Sequence, residues 1–284
     1  MTDRPTRKKP QARLARVLRS ERLSPHMVRL VFGGEGLSGF VAGEFTDHYV
    51  KLLFPVEGVS YPEPFDIARI REELPREQWP RTRTYTVRRW DPRAGELTVD
   101  FVVHGDAGLA GPWAAAARPG DEIRMLGPGG AYAPDPEADW HLLAGDESAL
   151  PAIAATLERM PADATVEALI EVADASEEQP LAVGPGVRLR WLHRGTAPAG
   201  RTLVAAVREL ELPAGRVHAF VHGEAGMVKE LRRYLRLDRG VPREDLSISG
   251  YWRLGHDEDG WQSSKREWNA QVEAEQERSA PAAA

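Results

Sequence analysis

The sequence predicts an all-β barrel domain followed by an α/β domain with a parallel sheet, and three observations support this fold class. Up to about residue 130, short strand-forming runs are separated by turn residues, which is typical of a small barrel. After the linker at 132–136 (YAPDP), strands alternate with helices, which indicates a parallel sheet covered on its faces. The 284 residues are enough for two domains with separate cores. The predicted segments are a disordered basic tail at 1–11, a barrel at 12–134, an α/β domain at 135–255, and a C-terminal helix and tail at 256–284.

The composition is that of a soluble globular protein and argues against several classes of function. Charged residues make up 28% of the chain, and the net charge of -6 argues against nucleic-acid binding, which needs a basic surface. No apolar run approaches the ~20 residues of a membrane span. The basic start lacks the apolar core of a secretory signal, so we expect a cytoplasmic protein. The chain has no cysteine, so a disulfide or a Cys-ligated cluster is excluded and redox chemistry would need a bound organic cofactor.

The strands of the first domain are bounded by turn-forming residues. The tripeptide SPH at 24–26 separates the first two strands, and DPRAG at 91–95 joins two later ones. Prolines between 55 and 80 indicate an insertion that carries a short surface helix. The predicted elements are two strands within 12–32, a strand at 47–54, a helix at 67–74, strands at 84–89 and 97–103, a helix at 111–117 and a strand at 122–126.

The second domain shows the alternation expected of a parallel sheet. Its strand-forming runs are short and apolar, and the segments between them have helical periodicity. The predicted strands are 140–143, 165–172, 187–192, 217–222 and 246–249. The predicted helices are 147–160, 202–210 and 227–237, followed by a charged amphipathic helix at 261–277 and a tail from 279.

The stretch RTYTVR at 83–88 is the main candidate for ligand binding in the barrel. On a strand, Arg83 and Tyr85 project to one face, whereas Thr84 and Thr86 project to the other. A cation beside an aromatic ring, with hydroxyls at the edge, suits a ligand that carries a phosphate and a flat heterocycle. An amphipathic strand with its polar residues in water is the alternative that this stretch leaves open.

Two strand ends in the second domain lead through glycines into a helix, which is where open α/β sheets bind ligands. They are 143–151 (LAGDESALP) and 222–227 (HGEAGM). Free N–H groups at a helix start attract phosphate, but neither stretch is a full dinucleotide fingerprint. Asp146 and Glu147 would also repel a phosphate placed against them. A helix N-cap at Asp146 and a tight turn at Gly226 are the alternatives.

Three other groups are weaker candidates. His193 and Arg194 follow a strand where a ribose 2′-phosphate would lie, with a solvated basic loop as the alternative. The turn at 105–113 leads into a helix start, so it would hold a pyrophosphate or serve as a plain connection. His48 lies near Lys51 without a partner at metal-ligand spacing, so we interpret it as structural and predict no metal site.

Taken together, these segments resemble the siderophore-interacting protein family, which are flavin-dependent ferric-siderophore reductases of the ferredoxin-reductase-like group. The resemblance extends from about residue 14 to residue 268, and the order of the segments makes it specific. The segments are 47–52 (DHYVKL), 83–88 (RTYTVR), 100–105 (DFVVHG), 127–130 (GPGG), 143–151 (LAGDESALP) and 250–255 (GYWRLG).

The resemblance implies a six-stranded antiparallel FAD-binding β-barrel followed by an α/β NAD(P)-binding-like domain, with FAD bound non-covalently. Arg83 would bind the FAD pyrophosphate, Tyr85 would pack against the flavin, and Thr86 would hydrogen-bond the edge of its ring. The 108–111 turn would supply backbone donors, although Gly111 lacks the hydroxyl that many relatives carry there. The residues implied to bind the cofactor are Arg83, Thr84, Tyr85, Thr86, Asp100, Phe101, Val102, His104, Gly108, Ala110, Gly111, Tyr251 and Trp252, with domain packing as the alternative for Tyr251.

The same resemblance implies that NADPH or NADH donates electrons, with ferredoxin as another donor, and that a ferric siderophore accepts them. No catalytic acid or base is implied, because the flavin carries the chemistry. The residues implied for the nicotinamide nucleotide are Gly145, Asp146, Glu147, Ser148, His193, Arg194, Gly223 and Glu224. Ferric siderophores are often anionic, so we expect basic residues near the flavin to bind them, namely Lys51, Arg88 and Arg253.

Two other functions stay open at the level of sequence. One is a flavin-dependent oxidoreductase that acts on another acceptor, and the other is a non-catalytic protein that binds a siderophore or a nucleotide. We expect a monomer in either case.

Overall fold

The N-terminal half forms a closed barrel of six antiparallel strands in the order β1-β2-β5-β4-β3-β6, which confirms the predicted barrel. The computed structural model describes residues 12–105 and 108–279, so the predicted tail at 1–11 lies outside the described residues. The strands are β1 (Arg13–Ser24), β2 (Met27–Gly33), β3 (Tyr49–Phe54), β4 (Arg81–Asp91), β5 (Glu96–Val102) and β6 (Glu122–Gly129).

The interior of the barrel is filled by the alternate apolar residues of its strands. Val50 and Leu52 of β3 and Leu97, Val99 and Phe101 of β5 are fully buried. Because side chains alternate along a strand, this single apolar face fixes the register of the closed sheet. Helix α2 (Ala110–Ala116) packs on the same core.

Helix α1 (Ile67–Glu73) lies in the predicted insertion and covers the outer side of β3. Asp66 caps it by accepting a hydrogen bond from the backbone N–H of Ala68 at 2.7 Å. Ile67 and Ile70 pack on Leu53, whose neighbours in β3 face the barrel core.

The second half is a five-stranded parallel sheet in the order β11-β10-β7-β8-β9, with helices on its faces, as predicted. Strands β7 and β8 are buried throughout, because helices cover both of their faces. The strands are β7 (Trp140–Gly145), β8 (Val166–Val172), β9 (Val187–His193), β10 (Val217–Glu224) and β11 (Leu246–Trp252). The helices are α3 (Leu150–Leu157), α4 (Arg201–Glu209), α5 (Ala225–Arg233) and α6 (Glu258–Ser279).

The two faces of the sheet have different partners. Leu143 and Phe220 pack with α3 and with Met27 and Tyr132 of the barrel half. The adjacent residues of the same strands project to the opposite face, where they pack with α4 and α5. Helix α3 is therefore the layer between the sheet and the barrel.

Polar contacts between the two halves hold this arrangement. The buried carboxylate of Glu177 accepts hydrogen bonds from Ser24 Oγ at 2.5 Å and from the His26 side chain. Thr156 Oγ1 donates to Thr46 Oγ1 at 2.8 Å, also in a buried position. These contacts join the turn between β1 and β2 and the loop before β3 to the α/β half.

Three helices differ from their predicted bounds by more than one residue. Helix α3 begins at Leu150 rather than at 147, because the carbonyl and carboxylate of Asp146 bind the amides of residues 148–150 in a turn that precedes the helix. Helix α5 ends at Arg233 and continues as a π-helical turn, Tyr234–Asp238. Helix α6 begins three residues earlier than predicted, and none of the helices in the described residues is both long and apolar enough to cross a membrane.

Candidate cofactor and substrate cleft

The barrel opens between β4 and β5, and this opening forms one wall of a cleft. The two strands pair from Val87–Val99 to Asp91–Glu96, whereas the residues of β4 before Val87 have no partner on β5. The cleft has a volume of about 650 Å³, within the ~300–1,000 Å³ of small-molecule sites. The barrel wall consists of Thr84, Tyr85 and Thr86 of β4, Asp100 and Val102 of β5, and His104. Consecutive residues of β4 project to opposite faces of the strand, and three of them line the cleft. The cleft therefore lies along the edge of β4 rather than on one of its faces.

Tyr85 gives the barrel wall an aromatic surface. Its ring centroid lies 4.3 Å from that of Phe101, with the planes inclined by 40°. Phe101 is fully buried in the barrel core and supports Tyr85 without lining the cleft. Burial raises the pKa of Tyr85, with the Glu258 carboxylate adding to the effect, so the phenol is neutral at physiological pH. Tyr85 can therefore pack against a flat heterocycle.

The predicted turn at 108–111 lies beside this wall. Ala110 and Gly111 are buried against β5, and a Cβ at Gly111 would lie 3.2 Å from the carbonyl oxygen of Val102. A side chain at this position would therefore need a small shift of the β5 backbone, although the family resemblance implies a hydroxyl residue here. Gly108 is exposed, and none of the three lines the cleft, so their contact with phosphate stays a prediction.

Strand β11 supplies the opposite wall through Tyr251 and Trp252, both half-buried. The Trp252 indole N–H donates to Asp146 Oδ2 at 2.8 Å, which fixes the position of the indole. The Tyr251 ring lies 4.8 Å from the His222 ring. The structure thus brings the predicted 83–88 and 250–255 segments to two walls of one cleft.

Asp146 stabilises the predicted nucleotide loop through hydrogen bonds to its side chain, and this side chain is not exposed to the cleft. Its side chain is fully buried. The carboxylate accepts hydrogen bonds from the Ser148 N–H and hydroxyl at 2.9 and 2.5 Å, from the Glu224 N–H at 2.8 Å, and from Trp252. Burial raises the pKa of Asp146, while these donors act in the opposite direction. The N-cap of α3 is Ala149 and not Asp146, so the capping alternative is wrong; the Asp146 carboxylate instead stabilises the turn before the helix, and its oxygens are occupied by these four donors.

Of the other residues predicted for the nicotinamide nucleotide, Glu147, Ser148 and Arg194 line the cleft. Arg194 Nη1 lies 2.5 Å from Glu147 Oε1, so these two side chains form an ion pair at the α/β wall. His193 is not at the cleft, and its Nε2 lies 2.7 Å from Glu178 Oε1.

Gly145 and Gly223 lie where neighbouring groups approach the backbone too closely for a side chain. A Cβ at Gly145 would lie 2.5 Å from that of Ala149. At Gly223, which has φ of 139°, a Cβ would lie 2.6 Å from the Asp146 carboxylate. Close packing is therefore enough to explain both glycines.

Arg83 contacts the C-terminal helix and does not line the cleft, so the pyrophosphate role that the resemblance implies stays a prediction. Its Nη1 and Nη2 donate to the two carboxylate oxygens of Asp259 at 2.8 and 3.0 Å, and its Nε lies 3.6 Å from Glu258. Nη1 also donates to the Thr82 carbonyl. The Arg83 side chain is only 8% exposed and does not line the cleft. In this arrangement Arg83 anchors α6 to the barrel, with two of its N–H groups bound to Asp259.

Arg88 also lies outside the cleft lining, so its predicted contact with the substrate stays a prediction. It forms a two-point ion pair with Glu158 at the end of α3, with one contact of 2.9 Å, and its Nε lies 4.0 Å from Asp100. Its side chain is 11% exposed and does not line the cleft. Asp100 does line the cleft, but its carboxylate is bound by Arg29 at 2.7 and 2.8 Å. The ion pair between Arg88 and Glu158 therefore joins the barrel to α3.

The cationic part of the cleft is formed by Lys51, Arg253 and Lys265. Within residues 12–105 and 108–279, none of the three has a carboxylate within 4.0 Å. Burial lowers the pKa of Lys265, the nearby Lys51 charge lowers it further, and Glu258 opposes both. Two ammonium groups that repel each other in a partly buried cleft favour an anionic ligand.

Sequence reasoning missed Lys265 and the other cleft residues of α6. A usable signal was present, because Trp261, Lys265 and Trp268 are spaced i, i+4 and i+7 and therefore share one helix face. Trp261 is buried and lies against Trp268, with ring centroids 5.3 Å apart. The two indoles attach the helix and present the lysine to the cleft.

His222 is a second missed residue, and it allows a prediction about pH. Burial lowers its pKa to about 3, whereas an unfolded histidine titrates near ~6.5. Between these values the unfolded chain binds a proton that the folded chain does not, so stability falls as the pH is lowered below about 6.5. We expect wild-type protein to lose about 1 kcal/mol per pH unit more than His222→Gln, which can still hydrogen-bond Ser247. Denaturant unfolding at pH 7 and pH 5 measures the difference, and equal losses would contradict the assignment.

The chemistry of the cleft fits a flavin dinucleotide. It offers a supported aromatic ring at Tyr85, hydroxyl groups at Thr84 and Thr86, and unpaired cations toward α6. His222 also lines this space, and its buried Nδ1 has no hydrogen-bond partner among the described residues. A buried polar atom without a partner is unusual in a folded protein and indicates a position for a ligand group.

Family models match both halves of the chain. Residues 16–132 match the siderophore-interacting FAD-binding domain, and residues 138–255 match the siderophore-interacting protein model. Helix α6, with Lys265 and the two carboxylates that bind Arg83, begins after the second match.

Individual proteins are similar to this chain over most of its length. The chain is 33% identical over 258 residues to the ferric vibriobactin reductase ViuB of Vibrio cholerae, covering 89% of this chain and 93% of that protein. It is 32% identical over 242 residues to the NADPH-dependent ferric-chelate reductase of Escherichia coli, covering 83% and 91%. A solved structure of a siderophore utilization protein from T. fusca is similar with a TM-score of 0.76 and 41% identity, covering 87% of this chain and 95% of that one.

Proposed function

This chain belongs to the siderophore-interacting protein family, and on that premise we propose that it reduces ferric siderophores. Electrons would come from NADPH or NADH through FAD bound non-covalently in the cleft, and iron would be released in the ferrous state. The observation that carries the proposal is the placement of Tyr85 and Thr86 in the same cleft as Lys51, Lys265 and Arg253.

The barrel wall would hold the cofactor. When bound, FAD supplies the conversion of a two-electron donor into the one-electron steps that ferric iron requires. The neutral Tyr85 ring would pack against the isoalloxazine, and Thr84 and Thr86 would hydrogen-bond its polar edge. Trp252, fixed by Asp146, and Tyr251 would shield the opposite side from water. No residue of the chain is assigned a proton-transfer step.

Two further groups of cleft residues would bind the electron donor and the electron acceptor at separate places. Glu147, Ser148 and Arg194 lie at the α/β wall and are assigned to the electron donor, in keeping with the NADPH named for the Escherichia coli relative. Lys51, Lys265 and Arg253 are assigned to the ferric chelate, because they raise the local concentration of an anion around a protein whose net charge is -6. Ferrous iron is softer than ferric iron and binds oxygen donors less strongly, so reduction itself would loosen the metal.

One experiment tests the function as a whole. The purified protein is saturated with FAD, freed of excess cofactor, and reduced anaerobically with NADH, NADPH or reduced ferredoxin. Ferric siderophores, quinones, free flavin and oxidised ferredoxin are then added in separate reactions. We expect reoxidation to be fastest with ferric siderophores and a ferrous-specific chelator to trap the product.

Two results would contradict the proposal. Faster reoxidation by quinones or free flavin would assign the protein to another acceptor. A protein without flavin absorption near ~450 nm after incubation with FAD would instead be a binding protein without turnover.

A further inference from the structure

The carboxyl edge of the parallel sheet is where a dinucleotide diphosphate ordinarily binds, against the N–H groups at a helix start. In this chain, three helices begin at or beyond that edge: α3 after β7, α4 after β9 and α5 after β10. A buried carboxylate of the chain itself lies at each of the three starts. Each takes hydrogen bonds that a diphosphate would otherwise receive.

The first two carboxylates are completely buried. Asp146 accepts from the Ser148 N–H at the turn into α3. Glu171, which projects from β8, accepts from the N–H groups of Gly200 and Leu203 at 2.6 and 2.9 Å and so closes the start of α4.

Glu224 is the third, and it closes the start of α5. Its Oε2 accepts from the Met227 N–H at 2.9 Å, and its Oε1 accepts from the Leu254 N–H at 3.2 Å. The backbone N–H of Glu224 is itself bound by Asp146 at 2.8 Å. Asp146, in the turn before α3, and Glu224, the cap of α5, therefore belong to one connected network.

Nearby cations are already neutralised by other carboxylates. Arg194 lies 2.5 Å from Glu147 and 3.9 Å from Glu171. Arg208 on α4 lies 3.0 Å from Glu230 on α5. A diphosphate at this edge would meet fixed negative charge, and the N–H groups of Ser148, Gly200, Leu203 and Met227 are already bound.

One exposed cation near this edge, Arg201, is not neutralised by a carboxylate in the described part of the chain. Arg201 lines a second cavity of about 510 Å³ between α4 and α5, and among the described residues it has no carboxylate within 4.0 Å. Glu224 and Glu230 line the same cavity, so Arg201 faces two carboxylates there.

We infer that Asp146, Glu171 and Glu224 determine donor specificity by excluding the adenosine diphosphate half of a nicotinamide dinucleotide. The donor is then recognised only through the nicotinamide end that enters the cleft. This inference rests on the proposed function. It means that reduced nicotinamide mononucleotide, which lacks the adenosine phosphate, is as good a donor as NADH or NADPH.

Two measurements on the FAD-loaded protein test this inference. In anaerobic stopped-flow reduction, we expect the second-order rate constants for reduced nicotinamide mononucleotide, NADH and NADPH to agree within about threefold. In calorimetric titration, we expect no binding of ADP or 2′,5′-ADP at millimolar concentration. A dinucleotide preference above threefold, or a dissociation constant for either adenosine phosphate below 1 mM, would overturn the inference.

The Arg201→Glu variant shows whether the exposed arginine provides a diphosphate site. We expect its relative rates with the three donors to equal those of wild type. A selective loss of NADPH or NADH rate in this variant would show that the diphosphate binds between α4 and α5, against the inference.

Failure of the inference is distinguishable from failure of the proposed function. The calorimetric result needs no turnover, so it decides the question even if no nicotinamide donor reduces the protein. Dithionite-reduced protein that does not reduce a ferric siderophore would contradict the proposed function and leave the calorimetric result unaffected.

Discussion

Replacing Lys265 with glutamate is expected to raise the KM for an anionic ferric siderophore by about ten- to hundredfold while leaving FAD content unchanged. Lys265 lies in the cleft with Lys51 and Arg253, and none of them has a carboxylate within 4.0 Å in the described part of the chain. The substitution changes the local charge by two units in a partly buried site, where one charge pair ~8 Å apart is worth about 2 kcal/mol before screening by salt. Steady-state kinetics with one anionic and one neutral chelate measure the effect, and only the anionic chelate should respond.

A matched control lies on the same helix. Arg266 is exposed and does not line the cleft, so Arg266→Glu makes the same change of charge without reversing a cleft cation. We expect its KM to stay within about twofold of wild type, since exposed charges beyond a Debye length of ~8 Å are largely screened. Lys51→Glu should act in the same direction as Lys265→Glu but more weakly, because Lys51 is more exposed.

Two outcomes would contradict the assignment of Lys265. If Lys265→Glu loses FAD and retains its KM after reconstitution, the lysine serves the cofactor rather than the substrate. If Arg266→Glu raises the KM equally, the effect comes from the total charge of the protein and not from the cleft.

Replacing Arg83 with glutamine is expected to detach α6 from the barrel and to lower the free energy of unfolding by about 2 kcal/mol. The Arg83 side chain is 8% exposed, and its loss removes the two-point ion pair with Asp259 and the nearby charge at Glu258. The expected cost is below the ~3–5 kcal/mol for breaking a fully buried pair, because Asp259 is 45% exposed. Denaturant unfolding gives the energy, and limited proteolysis within α6 reports its detachment.

Neighbouring substitutions provide the comparison for Arg83. Arg81 lies 3.6 Å from the same Asp259 but is 61% exposed, so Arg81→Gln should cost less than about 0.5 kcal/mol. Asp259→Asn should reproduce most of the Arg83→Gln effect, and the double variant should cost less than the sum of the two. Additive costs would show that Arg83 and Asp259 do not stabilise the fold as a pair.

The same variants test the role of Arg83 that the family resemblance implies. If Arg83 binds the FAD pyrophosphate, Asp259→Asn should free the guanidinium and raise FAD affinity. The observed geometry leads us to expect the opposite sign, because a detached α6 no longer closes the cleft around the cofactor. A tenfold gain in FAD affinity in Asp259→Asn would restore the pyrophosphate role.

The alternation of apolar residues was sufficient to predict the barrel and the parallel sheet, because it reports the face that each strand buries. The strand pattern also identified residues 84–86 as part of a ligand-binding stretch, whereas residues 251 and 252 were expected at the cleft only because of the family resemblance. It did not predict the roles of Arg83, Arg88 and Asp146. Each of them is a polar residue whose partner lies far away in sequence, and local pattern carries no information on such a partner.

The sequence by itself determined the two folds, the absence of thiol chemistry and the family, because these depend on composition, on local periodicity and on ordered short motifs. Only the tertiary structure decided which charges meet. Arg83 and Asp259 are 176 residues apart, and the docking of α6 both pairs them and brings Lys265 toward Lys51. Likewise, the closing of helix starts by Glu171 and Glu224 depends on how strands and helices assemble at one edge of the sheet. Long-range packing determines these contacts. It therefore also determines which cations have no carboxylate partner and can bind a ligand.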